Sequence, residues 1–454
     1  MTSHALPSLL PRRRGWQVAS AEALVIVAML LGAFALRYGH DALLLLRDSR
    51  GLPLALVAAV WLLCLYAYDL YESPILGSAH EIGARLPLVL GTAALLVAAI
   101  EWRFPGFYAG ERLSLLALFG VGAGLCAFRL ATLVWTHHPR LGEPVLLIGE
   151  GAFAALLRQE LRRQAASGLP IAGHLSAPLP DDLRALALAP KRERWARRLV
   201  STFPGGWDAI PPALRRQLLA AGYRLDDGLL LYQRLTGKLP VEELALRAPA
   251  FRADADPRRL RSAGKRLADA LVAAAGLLLC APLMLALAAL IRLDSPGPAI
   301  FRQSRVGRHG RLFTLYKFRT MRLNADAGGP ARPAGARDPR CTRLGRWLRR
   351  LRLDELPQLL NILRGEMSLV GPRPFVPEQE AECVRAIPFY AQRWSVAPGA
   401  TGWAQVNRGY CATLADNREK LAFDLYYIQH ASLLFDFLIA AQTLKVLLLG
   451  RGGR

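Results

Sequence analysis

At 454 residues, with 53% hydrophobic and 20% charged side chains, the chain is too long for a single compact core, and its apolar and charged residues must be segregated along it. The 58 Lys and Arg outnumber the 35 Asp and Glu, and the resulting net charge of +23 calls for an anionic partner: nucleic acid, anionic lipid or a phosphorylated substrate. Lys and Arg gathered in the cytoplasmic loops of a membrane protein are the competing source of that excess. Six cysteines lie scattered with no CxxC pair, which excludes a disulfide framework and places the soluble parts in a reducing compartment.

The first basic cluster, Arg12-Arg13-Arg14, leads into an apolar run containing Ala33-Phe34-Ala35, a pattern that imitates a signal peptide. Three more apolar runs follow, so the first is read as an uncleaved span. The four segments cover 18–36, 52–68, 86–100 and 113–135, and each approaches the roughly 20 residues that cross a bilayer. Arginines before the first and His137, His138 and Arg140 after the fourth set both ends on the cytoplasmic side. Residues 1–140 therefore form a four-span membrane domain with a basic N-terminal tail. Arg129, inside the fourth segment, is expected to snorkel to the interface.

Pro144-Val-Leu-Leu-Ile148 reads as a buried strand, and Gly149-Glu-Gly151-Ala-Phe-Ala154 as a glycine turn opening the helix 156–163. This GxGxxA form suits an α/β Rossmann-like domain over 141–246, with backbone N–H groups aimed at a phosphate. The next candidate strand, Ile171-Ala-Gly-His-Leu-Ser, ends without the acidic residue that would hold a ribose, so the domain is read as degenerate and without a cofactor. Residues 247–264, rich in Arg, Asp, Ala and Pro, form a linker into a final module over 265–454.

That module opens with a fifth apolar run, 267–291, with Pro282 near its middle. Arg261, Lys265 and Arg266 precede it, and Arg292, Arg302, Arg305 and Arg308 follow, so a crossing helix would carry one basic flank to the outer face. A re-entrant helical hairpin bent at proline keeps both flanks inside; a simple fifth span is the competing reading. After a turn at Asp294-Ser-Pro-Gly-Pro298 and a short hairpin, Lys317, Arg319, Arg322, Arg332, Arg337, Arg340, Arg343, Arg346, Arg349, Arg350 and Arg352 are opposed only by Asp326 and Asp338. Planar guanidinium forks at this density suit a diphosphate and a lipid phosphate, although a basic face resting on headgroups is the blander reading.

The basic run ends at Leu353-Asp-Glu-Leu-Pro-Gln-Leu-Leu-Asn-Ile-Leu363, where leucines 353, 356, 360 and 363 mark one helical face and Asp354 and Glu355 stand at the start. Adjacent helical residues point about 100° apart, so the two carboxylates are free to serve different tasks. Taken alone, Asp354 is far more readily an N-cap, with Pro357 tolerated in the first turn.

From about Lys265 onward the chain resembles the bacterial sugar transferase family, the monotopic phosphoglycosyl transferases that act on polyprenyl phosphate. The matching blocks are Tyr316-Lys-Phe-Arg-Thr-Met321, 353–374 through Gly371-Pro-Arg-Pro374, Pro398-Gly-Ala-Thr-Gly-Trp-Ala-Gln405 and Asp424-Leu-Tyr-Tyr427. Four spans with a Rossmann-like middle are similar to the large members that initiate exopolysaccharide or O-antigen synthesis at the bacterial inner membrane. The resemblance implies transfer of a sugar 1-phosphate from a nucleotide-sugar, a UDP-sugar above all, to a polyprenyl (undecaprenyl) phosphate lipid.

It further implies Asp354 as the covalent nucleophile, Glu355 as a ligand of Mg²⁺, and Arg349, Arg373, Lys317 and Arg319 as contacts to substrate phosphate, with Lys317 and Arg319 alternatively neutralising carboxylates. Large relatives suggest a homodimer, and nucleic acid is not expected as a partner. Two departures stand out: Ala281-Pro282 replaces the family's usual Ser-Pro bend, and the middle domain is short. A membrane-tethered NAD(P)-binding oxidoreductase, resting on 149–154, and a non-enzymatic basic scaffold are the readings from other classes.

Overall fold

A computed structural model describes residues 13–39, 51–71, 79–103, 111–137, 144–163, 169–176, 180–188, 196, 198–246, 259–322, 338–408 and 413–448. Arg12, His138, Arg140, most of the linker, Asp326, Arg332 and Arg337 lie outside the described residues. The chain divides into two compact units between Thr236 and Gly237.

The first unit opens with four helices, α1 (Arg13–Tyr38), α2 (Gly51–Ala67), α3 (Ala79–Arg103) and α4 (Glu111–His137). Ile26, Leu30, Trp61, Leu65, Val89, Val121 and Leu125 interlock in their core, while Leu24, Leu95, Phe119 and Val134 stay about 70% exposed on the outside. That inverted pattern, apolar within and without, suits a lipid solvent. Among the described residues four helices are long and apolar enough to cross a membrane: Val18–Tyr38, Ala79–Arg103, Leu115–Val134 and Ala263–Asp294. The second expected span, as Pro53–Ala67, is an apolar helix shorter than these.

Arg129 does not snorkel. It is 1% exposed and pairs with the fully buried Glu22 of α1, Nε to Oε1 at 2.6 Å and Nη2 to Oε2 at 3.1 Å, and its Nη1 donates to the Leu70 carbonyl at 3.0 Å. A snorkelling side chain needs water within reach, and here the nearest polar partners are inside the bundle.

The rest of this unit is a four-stranded parallel sheet, β1 (Val145–Ile148), β2 (Ile171–Leu175), β3 (Arg198–Ser201) and β4 (Arg224–Asp227), in the order β2-β1-β3-β4. Helices α5 (Ala152–Arg163), α6 (Pro180–Leu188), α7 (Pro212–Ala220) and α8 (Gly228–Thr236) cover it. Alternation along β1 sends Val145 and Leu147 to a core with Phe153, Leu157 and Leu231, and Leu146 and Ile148 to one with Leu183, Leu214 and Leu218. Burial on both faces makes β1 continuously apolar.

Its turn carries Gly149 at φ +115° and Gly151 at φ +103°. A Cβ on Gly149 would stand 2.5 Å from Thr202 Oγ1 and 3.3 Å from the Phe203 ring, and the Gly149 carbonyl lies 2.6 Å from His174 Nε2. Thr202 and Phe203, just past the end of β3, thus stand against the glycine turn that follows β1.

The second unit begins earlier than the linker suggests. Trp403 Nε1 donates to the Gly237 carbonyl, and Leu239 and Val241, at the start of α9 (Val241–Leu246), join its aromatic core of Trp403, Tyr427 and Phe435. Next comes α10 (Arg259–Asp294), which stays helical through Pro282. The hairpin β5 (Ile300–Val306) and β6 (Leu312–Phe318), helices α11 (Arg343–Arg350) and α12 (Gln358–Arg364), the parallel pair β7 (Ser368–Val370) and β8 (Gly399–Thr401), and helices α13 (Pro377–Ala386), α14 (Trp403–Asn407), α15 (Leu414–His430) and α16 (Leu433–Leu448) complete it.

Candidate active site

Three local decisions place the acidic pair. Helix α11 starts at Thr342, whose hydroxyl accepts from Gly345 N at 2.9 Å while its own N–H donates to the Thr320 carbonyl just beyond β6. Glycine is required at 345 because a Cβ there would collide with that same carbonyl. Removing the cap in Thr342→Ala is expected to lower unfolding stability by about 1 kcal/mol, read from denaturant melts of the purified protein.

Arg352 then turns the chain back in a left-handed conformation, φ 57° and ψ 17°, and Leu353–Glu355 forms a single 3-10 turn before Pro357 opens α12. The expected leucine face is only partly formed. Leu353 and Leu356 pack with Leu287, Ile291 and Phe318, but α12 buries Ile362 and leans Leu359 on Ala273, leaving Leu363 exposed. A 3-10 turn has three residues per turn, so the phase slips before the α-helix begins. Asn361, fully buried, locks α12 to the hairpin: its Oδ1 accepts from Tyr316 N and its Nδ2 donates to the Thr314 carbonyl at 2.7 Å.

Asp354 is 9% exposed, and its Oδ1 is buried without a hydrogen-bond partner among the described residues. Glu355 gathers three cations on one oxygen: Arg373 Nη2 at 2.9 Å, and Lys317 Nζ and Arg352 Nη1 each at 3.4 Å from Oε1. These environments drive the two carboxyls apart. Burial, with the neighbouring Glu355 charge, pushes Asp354 above the usual carboxylate range. Burial also opposes ionisation of Glu355, but Arg373, Lys317 and Arg352 outweigh it and hold that carboxyl well below the range. Burial pulls the Lys317 ammonium down, against the pull of Glu355, and lowers Arg305 to about 10 with help from Arg373.

Of the residues singled out in the sequence, Asp354, Glu355, Lys317 and Arg373 meet in this cluster. Arg349, in the last turn of α11, donates to Cys341 Sγ at 3.1 Å, and its charge reaches Asp354. Arg319 belongs elsewhere. It is 7% exposed, and its two Nη groups donate to the carbonyls of Ile291, Ser295 and Pro296 and to Ser295 Oγ, capping the C-terminal end of α10. Those four acceptors replace the phosphate contact expected of it. Arg352 and Arg305 were visible only as members of basic runs; what distinguishes them is the left-handed turn at one and, at the other, the donation from Nη1 to the Pro374 carbonyl at 3.1 Å.

A carboxyl with a desolvated oxygen, beside a carboxylate held ionised by a cluster of cations, makes a pocket suited to a group that carries negative charge. Among the described residues no group of three or more His, Cys, Asp or Glu is placed to hold a metal.

Comparison with known proteins points to the same stretch. The family model described as bacterial sugar transferase matches residues 260–450. A UDP-N-acetylgalactosamine-undecaprenyl-phosphate N-acetylgalactosaminephosphotransferase of Aeromonas hydrophila is 48% identical over 190 residues, 42% of this chain and 45% of that one. A UDP-glucose:undecaprenyl-phosphate glucose-1-phosphate transferase of Xanthomonas campestris pv. campestris is 45% identical over 181 residues, 39% of this chain and 37% of its own. A protein of the same description from Caulobacter vibrioides is 46% identical over 194 residues, 42% of this chain and 72% of its own. The chain thus spans less than half the length of the first two relatives.

Proposed function

The chain belongs to the bacterial sugar transferase family, and from that premise we propose that it transfers a sugar 1-phosphate from a UDP-sugar to undecaprenyl phosphate, the first membrane step of exopolysaccharide or O-antigen synthesis. The observation that carries this reading is the split carboxylate pair: Asp354 with a buried, unbonded Oδ1 beside Glu355 held ionised by three cations. An Asp354 oxygen attacks the phosphorus that bears the sugar, and the bond from that phosphorus to the bridging oxygen breaks. UMP leaves with the electron pair. An oxygen of the lipid phosphate then attacks the same phosphorus, and the bond to Asp354 breaks, regenerating the carboxylate and giving the polyprenyl-diphosphate-sugar. Arg373, Lys317 and Arg352 offset the charge of the bound diphosphate.

Magnesium fits this donor set. Among the described residues the hydrogen bonds to Glu355 fall on Oε1, and Oε2 would suit a hard cation that takes one or two carboxylates and otherwise water and diphosphate oxygens. When bound, such an ion neutralises diphosphate charge. Glu355→Gln is expected to raise the magnesium concentration for half-maximal turnover by about tenfold or more. An unchanged magnesium titration would remove Glu355 as a ligand.

Helix α10 supports a re-entrant, monotopic attachment of this unit to the inner membrane, with the site on the cytoplasmic face. At its start Lys265 pairs with Asp436 at 2.6 Å, Arg266 donates to the Ile362 and Leu363 carbonyls, and Asp269 accepts from Leu369 N. At its end Arg319 holds Ile291, Ser295 and Pro296. Both flanks are thus bonded to the unit that carries the site, as an attachment that keeps its two basic ends on one side of the membrane requires. Leu278, Leu279, Leu285 and Leu293, all more than 70% exposed, form the side left for lipid. We read the parallel sheet of the first unit as a Rossmann-like element without a cofactor, because Thr202, Phe203 and His174 crowd its glycine turn, and this disfavours the oxidoreductase. Incubating the full-length protein with undecaprenyl phosphate and a panel of UDP-sugars should release UMP with one sugar; no release with any would refute the proposal.

A further inference from the structure

The segment bearing Arg373 has no helix or strand of its own, yet three consecutive carbonyls in it are held. Arg393 Nη2 donates to the Arg373 carbonyl at 2.9 Å, Arg305 Nη1 to that of Pro374 at 3.1 Å, and Val306 N to that of Phe375 at 3.2 Å. Among these donors Arg393 is the most constrained. It is 4% exposed and lies in the 3-10 turn Tyr390–Ser395. Its Nε donates to Asp424 Oδ2 at 2.8 Å and its Nη1 to Tyr390 OH at 2.6 Å and Glu380 Oε1 at 3.2 Å. The guanidinium also lies 4.9 Å from the ring centres of both Phe375 and Tyr390.

Two carboxylates and two rings therefore fix the plane of Arg393, and the one Nη2 bond fixes Arg373. From that backbone Arg373 reaches Glu355 at 2.9 Å with 32% of its side chain still open. We infer that Arg393 is a positioning residue for the transfer reaction: it sets the angle at which Arg373 meets Glu355 and the incoming diphosphate. The inference rests on the proposed role of Arg373 in phosphate binding. It gives Asp424, from the last motif block, a task 31 residues from its partner, since Asp424 orients the guanidinium that orients Arg373. Lysine cannot reproduce the arrangement, because a single ammonium has no fork to span Asp424, Tyr390 and a carbonyl at once.

The test is a double-mutant cycle on the full-length protein, following UMP release at varied UDP-sugar and saturating undecaprenyl phosphate. Arg393→Lys should raise KM for the nucleotide-sugar about tenfold while kcat stays within about threefold. Arg373→Lys should do the same, and the double variant should match Arg373→Lys alone, because one interaction is removed by either route. A merely structural Arg393 would reduce the active fraction, lowering kcat at unchanged KM, and its losses would multiply with those of Arg373→Lys. Either of those results overturns the inference.

Should Arg393→Lys fail to fold, Tyr390→Phe takes its place in the cycle. It removes a single acceptor from Nη1, and its expected KM rise of about two- to threefold should vanish in the Arg373→Lys background. Persistence of that rise counts against Arg393. Wild-type kinetics in Arg373→Lys would end the phosphate role of Arg373 and the inference with it, whereas UMP release from no UDP-sugar by the parent protein would strike the transfer reading itself.

Discussion

An Asp354→Asn chain is expected to form no phospho-sugar adduct and to lose at least about 10⁴-fold in UMP release. The amide keeps the shape of the side chain and removes the negative oxygen that makes the bond. Asp354 Oδ1 makes no hydrogen bond among the described residues, so no donor among them is orphaned by the change. The fold should not suffer. Burial and Glu355 raise the Asp354 pKa above its unfolded value, so the ionised group costs the folded state stability once the pH exceeds that raised value, and the neutral amide removes the cost. A thermal melt at pH 7 should therefore show Tm unchanged or higher in the inactive variant.

The same raised pKa gives the parent enzyme an acid limb. The nucleophile must be ionised, so turnover falls with pH through a value above the ordinary carboxylate of about 3.9, and no such limb should remain in any residual activity of Asp354→Asn. Full turnover in that variant would end the nucleophile assignment.

The second large effect lies in the helical bundle. Arg129→Leu strands the Glu22 carboxylate, which is 0% exposed, and Glu22→Leu strands the guanidinium; each single change should destabilise the bundle by about 3 to 5 kcal/mol. The double variant should recover most of that loss, because two leucines of suitable volume leave neither charge uncompensated in an apolar core. Melting of the purified protein in detergent, followed by the loss of helical signal, distinguishes the outcomes. A double variant as unstable as the sum of the singles would mean that the Leu70 carbonyl and Tyr71 ring, both in contact with Arg129, matter more than the pair.

These two sites differ in how far the sequence announces them. The acidic pair, Lys317 and Arg373 stand inside long motif blocks, and their convergence follows once the hairpin and the turn after β7 are folded. Hydrophobic runs likewise mark α1, α3 and α4, and the continuously apolar Val145–Ile148 marks a strand buried on both faces. Arg129 could not be placed in this way, because its partner lies 107 residues upstream in another helix and local reasoning supplies only water as an outlet.

Arg319 is illegible for a related reason: density of positive charge does not say which guanidinium caps a helix and which faces an anion. The leucine phase slips after Glu355 because Leu353–Glu355 is a 3-10 turn and the α-helix starts afresh at Pro357, a change of winding that leaves no periodic trace. Arg393 lies outside every motif block, and only its carbonyl partner reveals what it does.

On the proposed reading, Glu355 also has a task while the site is vacant. Between turnovers the cations meant for a diphosphate would face one another with nothing to hold them together, and mutual repulsion would splay them toward solvent. A resident anion on the same backbone as the nucleophile keeps them gathered when the site is vacant. An arriving donor would thus meet a receptor already assembled, and a departing nucleotide would leave one that does not have to be rebuilt.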